Sequence, residues 1–239
     1  MELEKDIEET SKISEMRSRF VSDVSHELKT PIALIQGYAE GLADNVISSD
    51  EDRKYYAEVI LDEANKMSEL TKDLLDLSKL EYGENELIIE QFNITDLIHN
   101  FIKKNDILFS EKGITTEFKE ENSVLVNGDV FRIEQVLTNY TTNAIKNVDD
   151  NKIIKYSIND LGDRVKIGVY NTGIQLSEED KIRIWNRFYK LDTSRNRANG
   201  GTGLGLSVVK AIMTQHGTNC GVENKDDGVE FWFELIKSE

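Results

Sequence analysis

Glycine and proline are spread so unevenly that they divide the chain into two kinds of structure. Residues 1–82 hold the only proline, Pro31, and just two glycines, Gly37 and Gly41; the other thirteen of the fifteen glycines lie at or beyond Gly83. A stretch this poor in backbone breakers reads as long helices, and the glycine-punctuated remainder reads as mixed α/β.

The apolar pattern of the first part agrees. Ile13, Met16, Phe20, Val24, Leu28, Ile35 and Leu42 recur at three-, four- and seven-residue steps, one stripe of a helix. Asn45–Asp50 (NVISSD) interrupts it with turn and cap residues, and Tyr56, Ile60, Met67, Leu70, Leu74 and Leu77 form a second stripe. Two long helices with a short link make a helical hairpin. A lone hairpin buries one side of each helix, so pairing two hairpins into a four-helix bundle predicts a homodimer. The alternative is a hairpin that packs on its own second domain. Tyr82-Gly83-Glu84-Asn85 marks the linker.

Beyond the linker, 87–92 and 114–119 read as strands around a helix over 95–110. Val124–Val126 reads as a short strand and 129–148 as a helix. Residues 152–158 and 165–170 alternate as a hairpin about 159–162, 204–216 reads as a helix, and 230–236 closes as a strand. The predicted class is α+β: a helical hairpin followed by an α/β sandwich whose sheet is covered by helices.

Composition narrows the function. With 239 residues the chain suits one large or two modest domains. A net charge of −16 argues against a nucleic-acid partner, whose phosphates an acidic surface repels. No run approaches the roughly 18 apolar residues of a membrane span, and the opening MELEKDIEET is acidic, unlike a signal peptide. No membrane contact is expected within this chain. A single cysteine, Cys220, allows no internal disulfide and fits a reducing compartment; it reads as a buried strand residue.

Four segments carry chemistry. The first is Ser25-His26-Glu27-Leu28-Lys29-Thr30-Pro31. Imidazole, with an ordinary pKa of about 6.5, is a neutral nucleophile near pH 7. His26 falls outside the apolar stripe and should face solvent. Glu27 is placed to accept a hydrogen bond from Nδ1–H, which favours the tautomer whose Nε2 lone pair is free to attack. Thr30 lies four residues on, over the same helix face, and Pro31 should kink the helix. A plain surface histidine beside an acidic neighbour is the competing reading.

The second segment is Asn139-Tyr-Thr-Thr-Asn143-Ala-Ile-Lys146. Asn139 and Asn143 share a helix face, amide oxygens suit Mg²⁺, and Lys146 brings positive charge to a phosphate. The third is Gly200-Gly201-Thr202-Gly203-Leu204-Gly205-Leu206, where glycines allow the backbone near phosphates and a helix follows. A bare G-x-G-x-G also suits a dinucleotide fold, but no strand precedes it. The fourth is Ile184-Trp185-Asn186-Arg187-Phe188-Tyr189-Lys190, with Trp185 and Phe188 expected in the core. Between the last two lies 192–200, polar and holding Arg195 and Arg197, expected to be a mobile lid.

Together these strings resemble the sensor histidine kinases of two-component systems, from about Ser14 to Ile236. The first matches that family's phosphoacceptor box at every position; the others match its N box, second glycine box and F box. The resemblance implies an ATPase fold of the gyrase, Hsp90 and histidine-kinase type. It implies residues 1–13 as a coiled-coil lead-in, 14–83 as the dimerisation and phosphotransfer domain, and 84–239 as the ATP-binding domain. It implies ATP and Mg²⁺ as cofactors, with Asn143 the metal ligand, and ATP-dependent phosphorylation of His26. It implies transfer to an aspartate of a response regulator and, through Thr30, dephosphorylation of that regulator. Tyr189 and Lys190 are expected at the nucleotide. It also implies the cytoplasmic portion of a membrane-bound sensor.

Related gyrase- and chaperone-type ATPases carry a glutamate base where this chain has Asn139; asparagine cannot abstract a proton, which favours transfer over hydrolysis. One box departs from the family. Its usual D-x-G-x-G is here Asn171-Thr172-Gly173-Ile174-Gln175, as in some Gram-positive kinases resembling vancomycin-resistance sensors. Asn171 can accept from the adenine amine without charge assistance, so weaker adenine binding is expected. Three readings stay open: an autokinase, a non-signalling ATPase, and a degenerate dimeric scaffold.

Overall fold

The computed structural model describes residues 2–44, 49–82, 86–191 and 201–238, with side chains from residue 21 onward except residue 82. The chain forms two compact units, Met1–Leu74 and Leu75–Glu239. The expected link at 45–50 and linker at 82–85 lie largely outside the described residues, as does the lid at 192–200 with Arg195 and Arg197.

The first unit is built from α1 (Glu2–Ala43) and most of α2 (Asp50–Tyr82). Ser49 caps α2: its Oγ accepts from Asp52 N at 3.0 Å and donates to Asp52 Oδ2 at 2.7 Å. Near the link the helices meet through tyrosines. The Tyr38 and Tyr56 rings are edge-on with centroids 4.8 Å apart, and a Cβ on Gly41 would come 2.8 Å from Tyr56 Cε2. Of the predicted stripes, Val24, Leu28, Ile35 and Leu42 are half-buried, as are Tyr56, Ile60, Met67 and Leu74, while Leu70 is buried. Pro31 lies inside α1, which runs unbroken past it.

The second unit takes in the last turns of α2, where Leu77 and Leu80 are buried. Gln215 Nε2 donates to Leu80 O at 2.6 Å, Gln135 Nε2 donates to Asp76 Oδ2 at 3.2 Å, and Arg187 pairs with Glu81. The unit then runs β1 (Glu90–Asn93), α3 (Ile94–Lys104), α4 (Asp106–Lys112), β2 (Thr115–Glu117), β3 (Leu125–Gly128), α5 (Val130–Asn147), β4 (Ile153–Asp160), β5 (Arg164–Thr172), α6 (Glu178–Arg183), α7 (Gly205–Gln215), β6 (Cys220–Lys225) and β7 (Gly228–Lys237). The sheet order is β1-β3-β7-β5-β4-β2, with β6 also paired to β7. Among the described strands only β2 with β4 is parallel.

Period-2 alternation gives the sheet its two faces. Ile154, Tyr156, Val165, Ile167, Val169, Val229, Phe231, Phe233 and Leu235 are buried. Tyr140 of α5 reaches this layer, donating to Trp232 O at 3.0 Å, and Thr141 shares a hydrogen bond with Tyr156 at 2.9 Å. The opposite face is laced with cross-strand ion pairs, Lys166–Glu223 at 2.6 Å, Lys225–Glu230 at 2.9 Å and Arg164–Glu234 at 3.2 Å.

Some expected elements shift. The helix expected over 95–110 breaks at Asn105, whose side chain donates to Phe101 O at 2.8 Å and terminates α3. The strand expected over 87–92 begins only at Glu90. Helix α6 was not anticipated, although Ser177 caps it by accepting from Asp180 N at 3.1 Å. Strand β6 starts at Cys220, which is part-buried; burial pushes its thiol up to about 11.

Candidate functional site

In the first unit, His26 and Thr30 are both exposed, one turn apart on one side of α1, while Glu27 and Leu28 are half-buried and Pro31 is buried. Ser25 Oγ donates to Val21 O at 2.8 Å, which turns that hydroxyl back onto its own helix.

In the second unit, α5 is the organising element. Asp129 caps it, with Oδ1 accepting from Arg132 N at 3.1 Å and Oδ2 accepting from Ile88 N at 3.1 Å. His216 at the end of α7 holds the same cap. Asp129 N–H can only donate, so His216 Nε2 accepts from it at 3.1 Å; Ile212 O can only accept, so Nδ1 donates to it at 2.8 Å. Both ring nitrogens are thus used in the neutral form, and burial keeps the imidazole pKa below its ordinary value. His99 is a surface contact, its Nε2 3.0 Å from Glu120 O.

The polar face of α5 meets the glycine segment. Asn139 Oδ1 lies 3.1 Å from where a Cβ on Gly205 would sit, and Lys146 Nζ lies 3.0 Å from the same point on Gly201. A Cβ at either position would crowd that group, so the two glycines keep the space beside Asn139 and Lys146 open. Gly203 has a different reason to be glycine. Its φ is +72°, a Cβ would come 2.8 Å from Phe188 Cα, and its carbonyl accepts from Phe188 N at 2.9 Å. Thr202 Oγ1 accepts from Leu204 N at 3.3 Å. Leu204 is fully buried, so its side chain belongs to the core and only its backbone borders the cradle; Leu206 is half-buried.

At the other end of α5 stands the departed box. Asn171 is buried on β5, and its Nδ2 donates to Thr172 O at 3.0 Å, leaving the amide oxygen to accept. A Cβ on Gly173 (φ +150°) would come 2.6 Å from Asn147 O. Gln175, which stands where the family has a second glycine, donates through Nε2 to the carbonyls of Lys225 and Asp226. Asn224 completes the clamp, accepting from Leu176 N at 2.9 Å and donating to Leu176 O at 2.8 Å. These two pins tie the segment after Gly173 to the β6–β7 turn; sequence reasoning missed both, since no motif marks them.

Tyr189 is engaged with α6. Its hydroxyl donates to Asp180 Oδ1 at 2.6 Å and its ring lies 4.7 Å from the Arg183 guanidinium. Lys190 is exposed. Trp185 meets Phe231 edge-on at 6.4 Å, the core packing expected of it. Asn143 Oδ1 accepts from Asn147 Nδ2 at 2.9 Å. Among the described residues no three His, Cys, Asp or Glu side chains gather into a metal cage. A cation here would be held by neutral amide oxygen and by phosphate, a donor set that suits a hard, partly hydrated ion such as Mg²⁺.

Two family models match these two regions. Residues 16–83 match the His Kinase A (phospho-acceptor) domain, and residues 128–239 match the histidine kinase-, DNA gyrase B- and HSP90-like ATPase. The catalytic domain of histidine kinase ThkA is 33% identical over 62% of this chain and 95% of its own, with a TM-score of 0.56. The chain belongs to the sensor histidine kinases. ThkA in complex with response regulator protein TrrA matches 97% of this chain and 64% of its own at 29% identity, with a TM-score of 0.75. Full-length ShkA in complex with AMPPNP matches 90% of this chain and 45% of its own at 26% identity and a TM-score of 0.66. Sensor protein SrrB of Staphylococcus aureus is 28% identical over 236 residues, 98% of this chain; the chain spans 40% of that relative's length. Among the described residues no helix is long and apolar enough to cross a membrane.

Proposed function

We propose that this chain uses ATP to phosphorylate His26 and passes the phosphoryl group to an aspartate of a separate response regulator. The observation that carries the reading is the convergence of Asn139 on Gly205 and of Lys146 on Gly201 in one glycine segment, in a chain that also exposes His26 inside a complete phosphoacceptor box. The cradle's backbone N–H groups and the start of α7 receive phosphate oxygens, and Lys146 offsets their charge. Asn143 is the magnesium ligand. Asn171 offers its amide oxygen to the adenine amine. At His26 the Nε2–P bond forms as the bond from the γ-phosphorus to the departing ADP oxygen breaks. Asn139 cannot act as a base for water, which directs the phosphoryl group to histidine rather than to hydrolysis.

ThkA's complex with a response regulator supports that class of partner, and ShkA's complex with AMPPNP supports ATP. Thr30, exposed one turn from His26, is the residue for a regulator-phosphatase step. A homodimer covers the apolar side chains the first unit leaves out, Val21 at 59% and Leu61 at 63% exposure; light scattering should give twice the chain mass. The chain is read as residues 14–83 for dimerisation and phosphotransfer and 84–239 for nucleotide, the cytoplasmic part of a membrane-bound sensor.

The test is incubation with γ-labelled ATP and Mg²⁺. Acid-labile, alkali-stable label on the wild type and none on His26→Gln is the expected result. Free phosphate without protein label would instead make the chain an ATPase. Neither signal, with dimerisation intact, would make it a scaffold.

A further inference from the structure

Asn147 ends α5, one residue beyond the Asn139–Lys146 segment, yet it touches both sides of the nucleotide cluster. Its Nδ2 lies 2.8 Å from Asn143 O and 2.9 Å from Asn143 Oδ1. A main-chain carbonyl can only accept, so the Asn147 atom facing it must be the amide nitrogen. The Asn143 side-chain atom facing that same nitrogen must then be an acceptor, its oxygen. One backbone carbonyl thus fixes the orientation of two successive amides. At its other end, Asn147 O seats the Gly173 turn, where a Cβ would approach to 2.6 Å.

We propose that Asn147 is a positioning residue for the metal: it holds the Asn143 amide with its oxygen turned to a fixed place and prevents the flip that would present N–H groups to a cation. The inference rests on the reading of Asn143 as the magnesium ligand. An amide oxygen carries two lone pairs. Asn147 occupies one, and the other remains for the ion. Without Asn147, the Asn143 amide samples both flips, and the orientation that presents N–H repels a divalent ion. Part of the binding free energy then goes into restoring the productive flip. Asn147 also joins the metal side of the cluster to the adenine side through one residue, its side chain on Asn143 and its carbonyl on the Gly173 turn.

The test uses the whole chain and the affinity of AMPPNP, measured with Mg²⁺ and again with EDTA. Asn147→Leu keeps the volume and removes the donor. The expected result is a loss of about 3–10-fold with Mg²⁺, the size of one net hydrogen bond, and a change of less than about twofold in EDTA. Asn147→Gln, which retains the donor, should recover part of the loss. Equal losses in both conditions would show a merely structural role and overturn the proposal, as would no loss in either. Asn143→Ala separates the two ideas. If it leaves the Mg²⁺ dependence intact, the metal-ligand reading of Asn143 falls. If it abolishes that dependence while Asn147→Leu retains it in full, only the role given to Asn147 falls.

Discussion

Asn171→Asp would restore the residue that histidine kinases ordinarily carry in this box, yet in this chain it should weaken the folded state. Asn171 is 3% exposed, and its Nδ2 donates to Thr172 O at 3.0 Å. A carboxylate has no donor, so one of its oxygens would face that carbonyl oxygen. The lost hydrogen bond costs about 1 kcal/mol. A buried carboxylate oxygen left facing that carbonyl without a donor adds about 2 kcal/mol, inside the range for an unsatisfied buried group. A total of about 3 kcal/mol corresponds to a fall of about 6–12 °C in the melting temperature of a unit this size. The sign follows from linkage. The buried carboxyl would titrate above its unfolded value of about 3.9, so the penalty is full above the raised folded pKa and fades as pH falls toward the unfolded one. Calorimetry without nucleotide should therefore show the gap between variant and wild type widest near pH 8 and narrower at pH 5. With ATP present the gap narrows without closing. The carboxylate accepts from the adenine amine with charge assistance, stronger than the neutral bond by about 1 kcal/mol, or about fivefold in affinity. A variant that melts within about 1 °C of wild type at pH 8 would refute the account of Asn171.

Three further outcomes follow from single contacts. Gly173→Ala would set a Cβ 2.6 Å from Asn147 O at φ +150°, which should destabilise the second unit by about 1–3 kcal/mol and lower AMPPNP affinity, checked by melting and titration. Leu77→Ala removes a side chain 1% exposed; a loss of about 2–5 kcal/mol in a fragment of residues 75–239 would show that the last turns of α2 belong to that unit's core. His216 is held neutral with its folded pKa below the unfolded value of about 6.5, so the stability it contributes is present above that pH and lost as pH falls through the folded pKa. Melting curves from pH 8 to 5 should fall more steeply for wild type than for His216→Gln.

Motif and period made a large part of the molecule legible. Helices α2, α5 and α7 and strands β4, β5 and β7 carry strong stripes or alternation, and the structure has them within a few residues of the expected bounds. What escaped depended on contacts that local sequence does not encode. The break at Asn105 is one side chain competing for its own helix's carbonyl. Residues 75–82 continue the apolar period of α2 without interruption, so nothing in the stripe announces that Leu77 and Leu80 are buried in a different unit from Leu70. In the glycine segment the spacing was visible, but the reasons differ by position: Gly201 and Gly205 make room beside Lys146 and Asn139, while Gly203 makes room for the backbone of Phe188. Tyr189 was placed at the nucleotide by its neighbours in sequence, and the structure engages it with Asp180 and Arg183.

The clustering of amides around α5 makes sense for a chain that carries a net charge of −16 and is proposed to take up a polyanion. Each carboxylate near the phosphates would add repulsion that counter-ions at physiological salt screen only beyond about 8 Å. Asn139, Asn143 and Asn147 put three amides on the helix that borders the glycine cradle, and Asn171 puts a fourth at the end of β5. Amides supply acceptors for a cation or an amine without charge, and their own N–H groups can anchor them, as Asn147 does on Asn143 and Asn171 on Thr172. Lys146 is then the one cation on α5 shown beside the cradle, and its charge is not spent on a neighbouring carboxylate of the same helix face. On this account the Asn171 departure is of a piece with the rest of the site: the weaker bond to adenine proposed for it comes with a site whose described residues include no buried carboxylate.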